Sequence, residues 1–327
     1  METNIKEMSR EDFDRVCRVA QDLIRKTEEV VVGKHTEIVL LVTALLAGGH
    51  VLIEDVPGVG KTTLASTLSR AAGLDFRRAQ FTPDVMASDI TGFNIYNRTT
   101  EKFEFQKGLV MTNILLADEI NRASPKTQSA LLEAMEETRV TVDGQTYDIP
   151  DPFMVIATQN PTGFVGTYPL PEAQLDRFAM KISMGYPTPD EEMDIISARK
   201  TEDPAKKIAA VTNGQIISSL REIVRNITVD EEICRYIVTL VANTRTHPKI
   251  ALGASPRASL ALMHISQAYA FLHGRSFVIP EDVAAIFRQT VAHRLVLKQE
   301  AKLSRVSAND ILTEILHTTE VPFTAKR

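Results

Sequence analysis

The stretch HVLIEDVPGVGKTTLASTL, residues 50–68, decides how this chain is read. An apolar run breaks into Pro57-Gly58-Val59-Gly60 and resumes at once with helix formers behind Lys61-Thr62-Thr63. A hairpin would need a second alternating run after the turn, and none follows. The pattern fits a buried strand, a tight glycine turn and a helix. Such a turn aims several backbone N–H groups at one spot, at the positive end of the helix dipole.

The same alternation continues outward. Apolar runs predict strands at His50–Ile53, Arg77–Phe81, Ile114–Ala117, Phe153–Thr158 and Ala179–Ser183, with helices at Thr62–Ala72 and Pro125–Thr138 between them. Upstream, Ser9-Arg10-Glu11-Asp12 has the form of a capping signal ahead of Phe13, Val16, Ala20, Leu23 and Ile24 at helical spacing, and a second helix is expected over Thr36–Ala47. Short apolar strands separated by helices predict an α/β fold with a parallel sheet covered on both faces. After Tyr186-Pro187-Thr188-Pro189 the strands are expected to stop. Helices follow at Glu191–Arg199, Gly214–Asn226, Asp230–Thr246, Ser255–Gly274, Pro280–Ala292 and Ala308–Thr318. A boundary near Pro187 therefore divides an α/β domain, 1–187, from a smaller all-α domain, 188–327. Ser88–Leu109, rich in Thr, Asn, Lys and aromatics, interrupts the rhythm as an insertion.

Composition bounds the classes of function. The 327 residues are 44% hydrophobic and 24% charged, as in an ordinary soluble globular protein. A net charge of −5 offers no global attraction to nucleic acid or anionic membrane. Cys17 and Cys234 lie far apart inside helical patterns and form neither a disulfide framework nor a metal set. The longest apolar stretch, Ile38 to Ile53, is broken by Gly48-Gly49-His50 and falls short of the ~20 residues a membrane span needs. Met1 to Arg15 is acidic and polar, unlike a secretory signal, so a reducing cytoplasmic location is expected.

Three strand ends carry candidate chemistry. Gly60-Lys61-Thr62 fit the end of the phosphate-binding loop consensus, although Asp55 stands where its first glycine belongs; a short glycine turn ending in Lys-Thr also occurs in plain strand–helix connections. Read as a phosphate loop, the amides of Val59 to Thr63 surround a β-phosphate, Lys61 reaches the β/γ oxygens and the Thr62 hydroxyl binds Mg²⁺. Asn113-Ile114-Leu115-Leu116-Ala117-Asp118-Glu119 is an apolar strand ending in two carboxylates, which is costly unless something charged meets them. Asp118 would hold Mg²⁺ through a coordinated water, and Glu119 would orient and deprotonate an attacking water; a solvated strand end is the plain alternative. Phe153–Thr158 ends in Gln159-Asn160-Pro161, where the Asn160 amide is either a water or γ-phosphate ligand or a simple turn residue.

With these in place, the chain resembles the AAA+ ATPases, and the segments FTPDVMASDITG, ADEINRASPKTQSALLEAMEE, GTYPLPEAQLDRF and GASPRASLALM resemble the MoxR branch in particular. The resemblance runs from about Val31 to His293. It implies that Pro57, Gly58, Val59, Gly60, Lys61 and Thr62 are the Walker A motif, Asp118 and Glu119 the Walker B motif, and Asn160 sensor 1. Val32 and Gly33 would line the adenine pocket. Arg177 resembles the arginine finger acting on ATP held by the next subunit, and Arg257 resembles sensor 2, facing the γ-phosphate from within the same subunit. Each arginine has a bland alternative, Arg177 as a surface partner of Asp176 or Glu172 and Arg257 as an ordinary cation near a helix start. Residues 88–109 correspond to the helix 2 insert, and 140–149, with Asp143-Gly144 at the turn, to the hairpin before sensor 1.

The function expected from this is ATP hydrolysis with Mg²⁺ in a homo-oligomeric ring, in all expectation a hexamer, with lid rotation coupled to turnover. The resemblance implies chaperone-like remodelling of a protein client, or maturation through metal insertion, with a separate partner carrying a von Willebrand factor A domain. A DNA-dependent motor is the alternative, since Arg98, Lys102 and Lys107 with Tyr96, Phe103 and Phe105 could line a channel for single strands. Phe103-Glu104-Phe105-Gln106 equally reads as a half-buried hairpin, and the acidic balance favours protein over nucleic acid. A nucleotide-gated scaffold with little turnover is the third class; the Asp118-Glu119-Asn160 set argues against it.

Overall fold

The computed structural model describes residues 8–159, 167–198 and 204–322, and of Lys206 the backbone alone. Helices α1 (Arg10–Glu28) and α2 (His35–Ala47) precede strand β1 (Val51–Glu54), helix α3 (Lys61–Ala71) and strand β2 (Phe76–Gln80). Ser9 caps α1 as its spacing predicts, its hydroxyl accepting from the Asp12 amide at 3.1 Å. The inserted segment forms a short helix α4 (Ala87–Thr91) and an antiparallel hairpin, β3 (Gly92–Asn97) with β4 (Lys102–Lys107). Next come β5 (Ile114–Asp118), α5 (Pro125–Glu137), a second hairpin of β6 (Arg139–Val142) and β7 (Gln145–Asp148), and β8 (Met154–Gln159). The two-residue turn of that hairpin, Asp143-Gly144, has positive φ at both positions, 50° and 81°, the mirror-image turn that matches strand twist.

A one-turn helix α6 (Glu172–Leu175) leads into β9 (Met180–Ile182), which completes a five-stranded parallel sheet in the order β2-β5-β8-β1-β9. Successive side chains point to opposite faces, and the sequence uses both. Val51, Ile53, Ile114, Leu116, Met154, Ile156, Met180 and Ile182 join one buried cluster, with α1, α2 and α3 over it. Leu52, Leu115, Ala117, Val155 and Ala157 join a second, against α5. Strands buried on both sides explain why the runs read as continuously apolar.

The remainder is helical: α7 (Pro189–Ala198), α8 (Gly214–Arg225), α9 (Glu231–Thr246), then strand β10 (Ile250–Leu252), α10 (Pro256–Leu272), α11 (Pro280–Val291), strand β11 (Val296–Leu297), α12 (Gln299–Leu303) and α13 (Ala308–Thr318). The expectation that strands stop at Pro187 needs correcting, because β10 and β11 pair antiparallel. They are too short and too exposed to register as an apolar alternation. The helical part shares one core with the sheet: Leu220, Val241, Leu262, Phe271 and Val283 belong to the same cluster as Val51 and Met180. Arg221 on α8, itself buried, ties the two parts by donating to the carbonyls of Leu45 at 2.8 Å and Phe153 at 3.2 Å. Among the described residues, no helix is long and apolar enough to cross a membrane.

Candidate functional site

All five strands run the same way, so their C-terminal ends share one edge of the sheet. The register places Glu54 beside Gln159 and Gln80 beside Asp118. Beyond β1 the chain turns through Gly58 and Gly60, at φ 88° and 93°, and α3 starts at Lys61. Those dihedrals select glycine, and the space a Cβ would take at either position is open. The turn bounds a cavity of about 540 Å³ whose wall includes Pro57, Gly58, Val59, Gly60, Lys61, Thr62, Thr63, Asp118, Glu119 and Thr158. Its apolar end is formed by Val30, Val31, Val32, Pro187, Ile195, Ala198 and Pro204. Gly33 lies just outside that wall, at φ 72°, with the Glu191 carboxylate in the space its Cβ would fill.

Lys61 Nζ donates to the Asp55 carbonyl at 2.9 Å. Burial pushes its pKa down, against the opposing pull of Asp55, Asp118 and Glu119, and the net shift is downward. Asp118 is buried, with one oxygen 2.6 Å from Arg78 Nε and the other accepting from the Thr158 hydroxyl at 3.2 Å. Glu119 adopts left-handed backbone, φ 55° and ψ 48°, and its amide donates to Thr158 Oγ1 at 2.9 Å, which turns the residue off the strand end. Its Oε2 accepts from Arg122 Nη1 at 2.9 Å. Asn160 and the loop Thr162–Val165 lie outside the described residues; β8 ends one residue earlier at Gln159, whose amide donates to Glu54 at 2.8 Å.

Two members of this edge escape a motif reading. Arg78 lines the cavity from β2; only its place next to Arg77 hinted at it, since adjacent strand residues face opposite ways, and Arg77 instead donates to the Gly108 carbonyl at 2.8 Å. Asp55, the departure from the loop consensus, is a tether. Its Oδ2 accepts from the amides of Met184 at 2.6 Å and Gly185 at 2.7 Å and from the Ser183 hydroxyl at 3.1 Å, while Oδ1 takes the Val56 amide at 2.8 Å. Lys34 Nζ reaches the same segment through the Met184 carbonyl at 2.6 Å. The glycine turn is thus bound to the connection leading into α7.

The two candidate arginines lie at the other edge. Ala179 donates to the carbonyl of His50, the residue before β1, at 2.8 Å, so Arg177 sits beyond the N-terminal ends of the strands. Arg177 Nη2 is 3.2 Å from Glu136 Oε2, at the last turn of α5, and Arg257 pairs with Oε1 of the same carboxylate. Neither arginine lines the 540 Å³ cavity. Arg257, expected from the sequence to face the γ-phosphate of its own subunit, instead lines a separate pocket together with Arg177 and Glu136. Its helix, α10, begins at Ser255, whose hydroxyl donates to Asp176 Oδ2 at 2.8 Å and so docks the helix start beside Arg177. Asp176 does not pair with Arg177 either; Oδ1 meets the buried Arg294 Nε at 2.8 Å. Arg294 and His293 also donate to the Phe178 carbonyl, each at 2.9 Å, so the backbone on both sides of Arg177 is held.

The cavity's donor set suits a nucleoside triphosphate: backbone N–H groups at a helix start, one lysine, and an apolar slot at the far end. The Thr62 hydroxyl and Asp118 carboxylate are hard oxygen ligands of the kind Mg²⁺ uses beside phosphate oxygens. Comparisons with known proteins agree with this arrangement. Residues 50–180 match the family model "ATPase family associated with various cellular activities (AAA)", and residues 242–315 match "AAA lid domain". The chain is 51% identical over 299 residues to the uncharacterized protein YeaC of Bacillus subtilis, covering 91% of this chain and 93% of that one. It is 42% identical over 309 residues to chaperone MoxR1 of Mycobacterium tuberculosis, covering 91% and 81%. A crystal structure from Cytophaga hutchinsonii, of a protein provisionally assigned as an ATPase, superposes with TM-score 0.89 at 36% identity, covering 96% of this chain and 98% of that one. An α/β nucleotide edge, a helical lid and this degree of similarity to a MoxR chaperone along nearly the whole chain make the protein a member of the MoxR family of AAA+ ATPases.

Proposed function

We propose that this chain hydrolyses ATP with Mg²⁺ in a ring in which each nucleotide is completed by both Arg177 and Arg257 of the neighbouring protomer. The observation that carries this reading is the placement of the phosphate-loop cavity and the arginine pair at opposite edges of one sheet. The four residues of β1 alone, at about 3.3 Å each, put roughly 13 Å between those edges. Contacts from one edge to the opposite edge of the next copy are head-to-tail, the kind that build rings when the rotation closes, and the family resemblance implies closure with six subunits. The α/β domain, 1–187, supplies the cavity, and the lid, 188–327, supplies Arg257.

Within one chain, the α3 amides and Lys61 bind the phosphates, while Val30, Val31 and Val32 border the base and Gly33 lies just behind them. Thr62 and Asp118 would hold Mg²⁺, which when bound neutralises charge on the β- and γ-oxygens. Glu119, aimed off its strand by the Thr158 bond, orients the water and accepts its proton, and Asn160 is assigned the second contact to that water. The neighbour's guanidiniums stabilise charge developing on the γ-phosphoryl oxygens. Remodelling or metal-insertion maturation of a protein client, a separate partner with a von Willebrand factor A domain and a cytoplasmic setting complete the proposal. The β3–β4 hairpin exposes Phe93, Ile95, Tyr96 and Phe103, an apolar face suited to a protein client, and the net charge of −5 gives no general attraction to DNA. Arg177→Ala should keep ATP affinity and lose on the order of 10³-fold or more in turnover. Turnover near the parent value would remove the shared-site reading.

A further inference from the structure

One carboxylate serves both candidate arginines. Glu136 places Oε2 on Arg177 and Oε1 on Arg257, residues 80 apart in sequence (257 − 177) and on separate elements. Two guanidiniums converging on one phosphate repel each other while that phosphate is absent, and an anion fixed between them removes the repulsion. Glu136 is itself held from behind. The neighbouring Met135 carbonyl accepts from His50 Nε2 at 3.0 Å, and His50 Nδ1 accepts from the Val155 amide at 2.9 Å. The end of α5 that carries Glu136 is thereby fixed to the start of β1 and to β8, while Asp176 fixes the two arginine-bearing segments through Ser255 and Arg294.

We propose that Glu136 is a positioning residue for the neighbour's ATP, the anionic bridge that presents Arg177 and Arg257 as one two-guanidinium unit. This rests on the reading that both arginines act across the protomer boundary. One negative charge against two positive ones leaves the pair net cationic, so an incoming γ-phosphate is still attracted. The bridge differs from a surface ion pair in what its loss should do. The damage appears at the site of the next subunit and not at the subunit's own cavity, from which Glu136 is absent.

The test uses the full chain with Glu136→Gln, Glu136→Asp, Glu119→Gln and Arg177→Ala. Glu136→Gln should bind a fluorescent ATP analogue within about twofold of the parent, which also establishes that it folds, yet turn over about tenfold or more slowly at saturating ATP. Glu136→Asp, which keeps the charge, should recover part of the rate. Glu136→Gln is then mixed with Glu119→Gln before nucleotide is added. Glu119→Gln protomers carry intact arginine pairs, and Glu136→Gln protomers carry intact nucleotide sites, so the mixture should hydrolyse ATP faster than the sum of the two proteins measured alone. Arg177→Ala mixed with Glu119→Gln is the control for the shared site. Regain in the control without regain in the Glu136→Gln mixture would overturn the role of Glu136 alone. No regain in either would overturn the shared site and this inference with it. A parent-like rate for unmixed Glu136→Gln would overturn the inference directly.

Discussion

Replacing Asp55 by glycine would restore the consensus phosphate loop and should nevertheless weaken the protein. The Asp55 carboxylate is 7% exposed and accepts four hydrogen bonds, from Val56 N, Ser183 Oγ, Met184 N and Gly185 N, at 2.6–3.1 Å. Burial alone would raise its pKa, but the amides of Gly185, Val56 and Met184 and the Ser183 hydroxyl outweigh burial and hold it below the ordinary carboxylate value. Each bond to a charged group contributes about 1.5–3 kcal/mol, and orphaning the buried Met184 amide carries a cost of its own. Counting the two short amide bonds as dominant gives a loss of about 4 kcal/mol, to which the freer glycine backbone adds ~1 kcal/mol. Urea denaturation of Asp55→Gly and Asp55→Ala at pH 7 measures both parts, and ATP-analogue affinity reports whether the loosened turn still binds. A depressed carboxyl contributes its stability above its unfolded pKa and loses it as pH falls through the folded value. The gap between parent and variants should therefore narrow as the pH falls below the ordinary carboxylate value, near pH 3.9. A glycine variant with an unchanged or higher urea midpoint at pH 7 would refute the tether.

Two further outcomes are expected. Arg78→Ala removes the guanidinium from Asp118, so the Mg²⁺ concentration for half-maximal ATPase should fall about fivefold, the equivalent of ~1 kcal/mol for a partly exposed pair; an unchanged Mg²⁺ requirement would mean that Arg78 does not compete for that carboxylate. Burial lowers the pKa of His50 from 6.5 to about 4 and that of His293 to about 3. The unfolded chain protonates both below pH 6.5 while the folded one resists, so stability is lost as pH drops from 6.5 toward 4, by about 3 kcal/mol for His50 alone. Urea midpoints across that range check the slope, which should be shallower in His50→Gln.

Part of the cavity edge was legible because three of its five strands, β1, β5 and β8, are short apolar runs followed by polar residues: Glu54-Asp55 before the glycine turn, Asp118-Glu119, and Gln159-Asn160, of which Asn160 lies outside the described residues. Period and punctuation locate such tips without knowledge of strand order. The opposite edge was not legible in the same way. Arg257 comes to Arg177 through a hydrogen bond between Ser255 and Asp176, 79 residues apart, and no local pattern encodes that docking. Arg78 sits on an outer strand where Arg77 and Arg78 break the apolar run, so it carried no motif. Val296 and Leu297 form a strand too brief for any periodicity. The hairpins were readable for a local reason, since Asp143-Gly144 specifies its own turn.

The continuity of hydrophobic packing from Val51 and Met180 to Leu262 and Val283 has a mechanical consequence. Interiors of protein density repack between discrete arrangements and do not stretch, so a cap welded to its base through a common interior has little room for a clamshell stroke. In the proposed ring, work extracted from a nucleotide would then emerge chiefly as displacement at the seams between adjoining copies, in place of the lid rotation expected from the sequence. The residues to watch for mechanochemical coupling are then those on the outer rims of the molecule, ahead of any hinge within it.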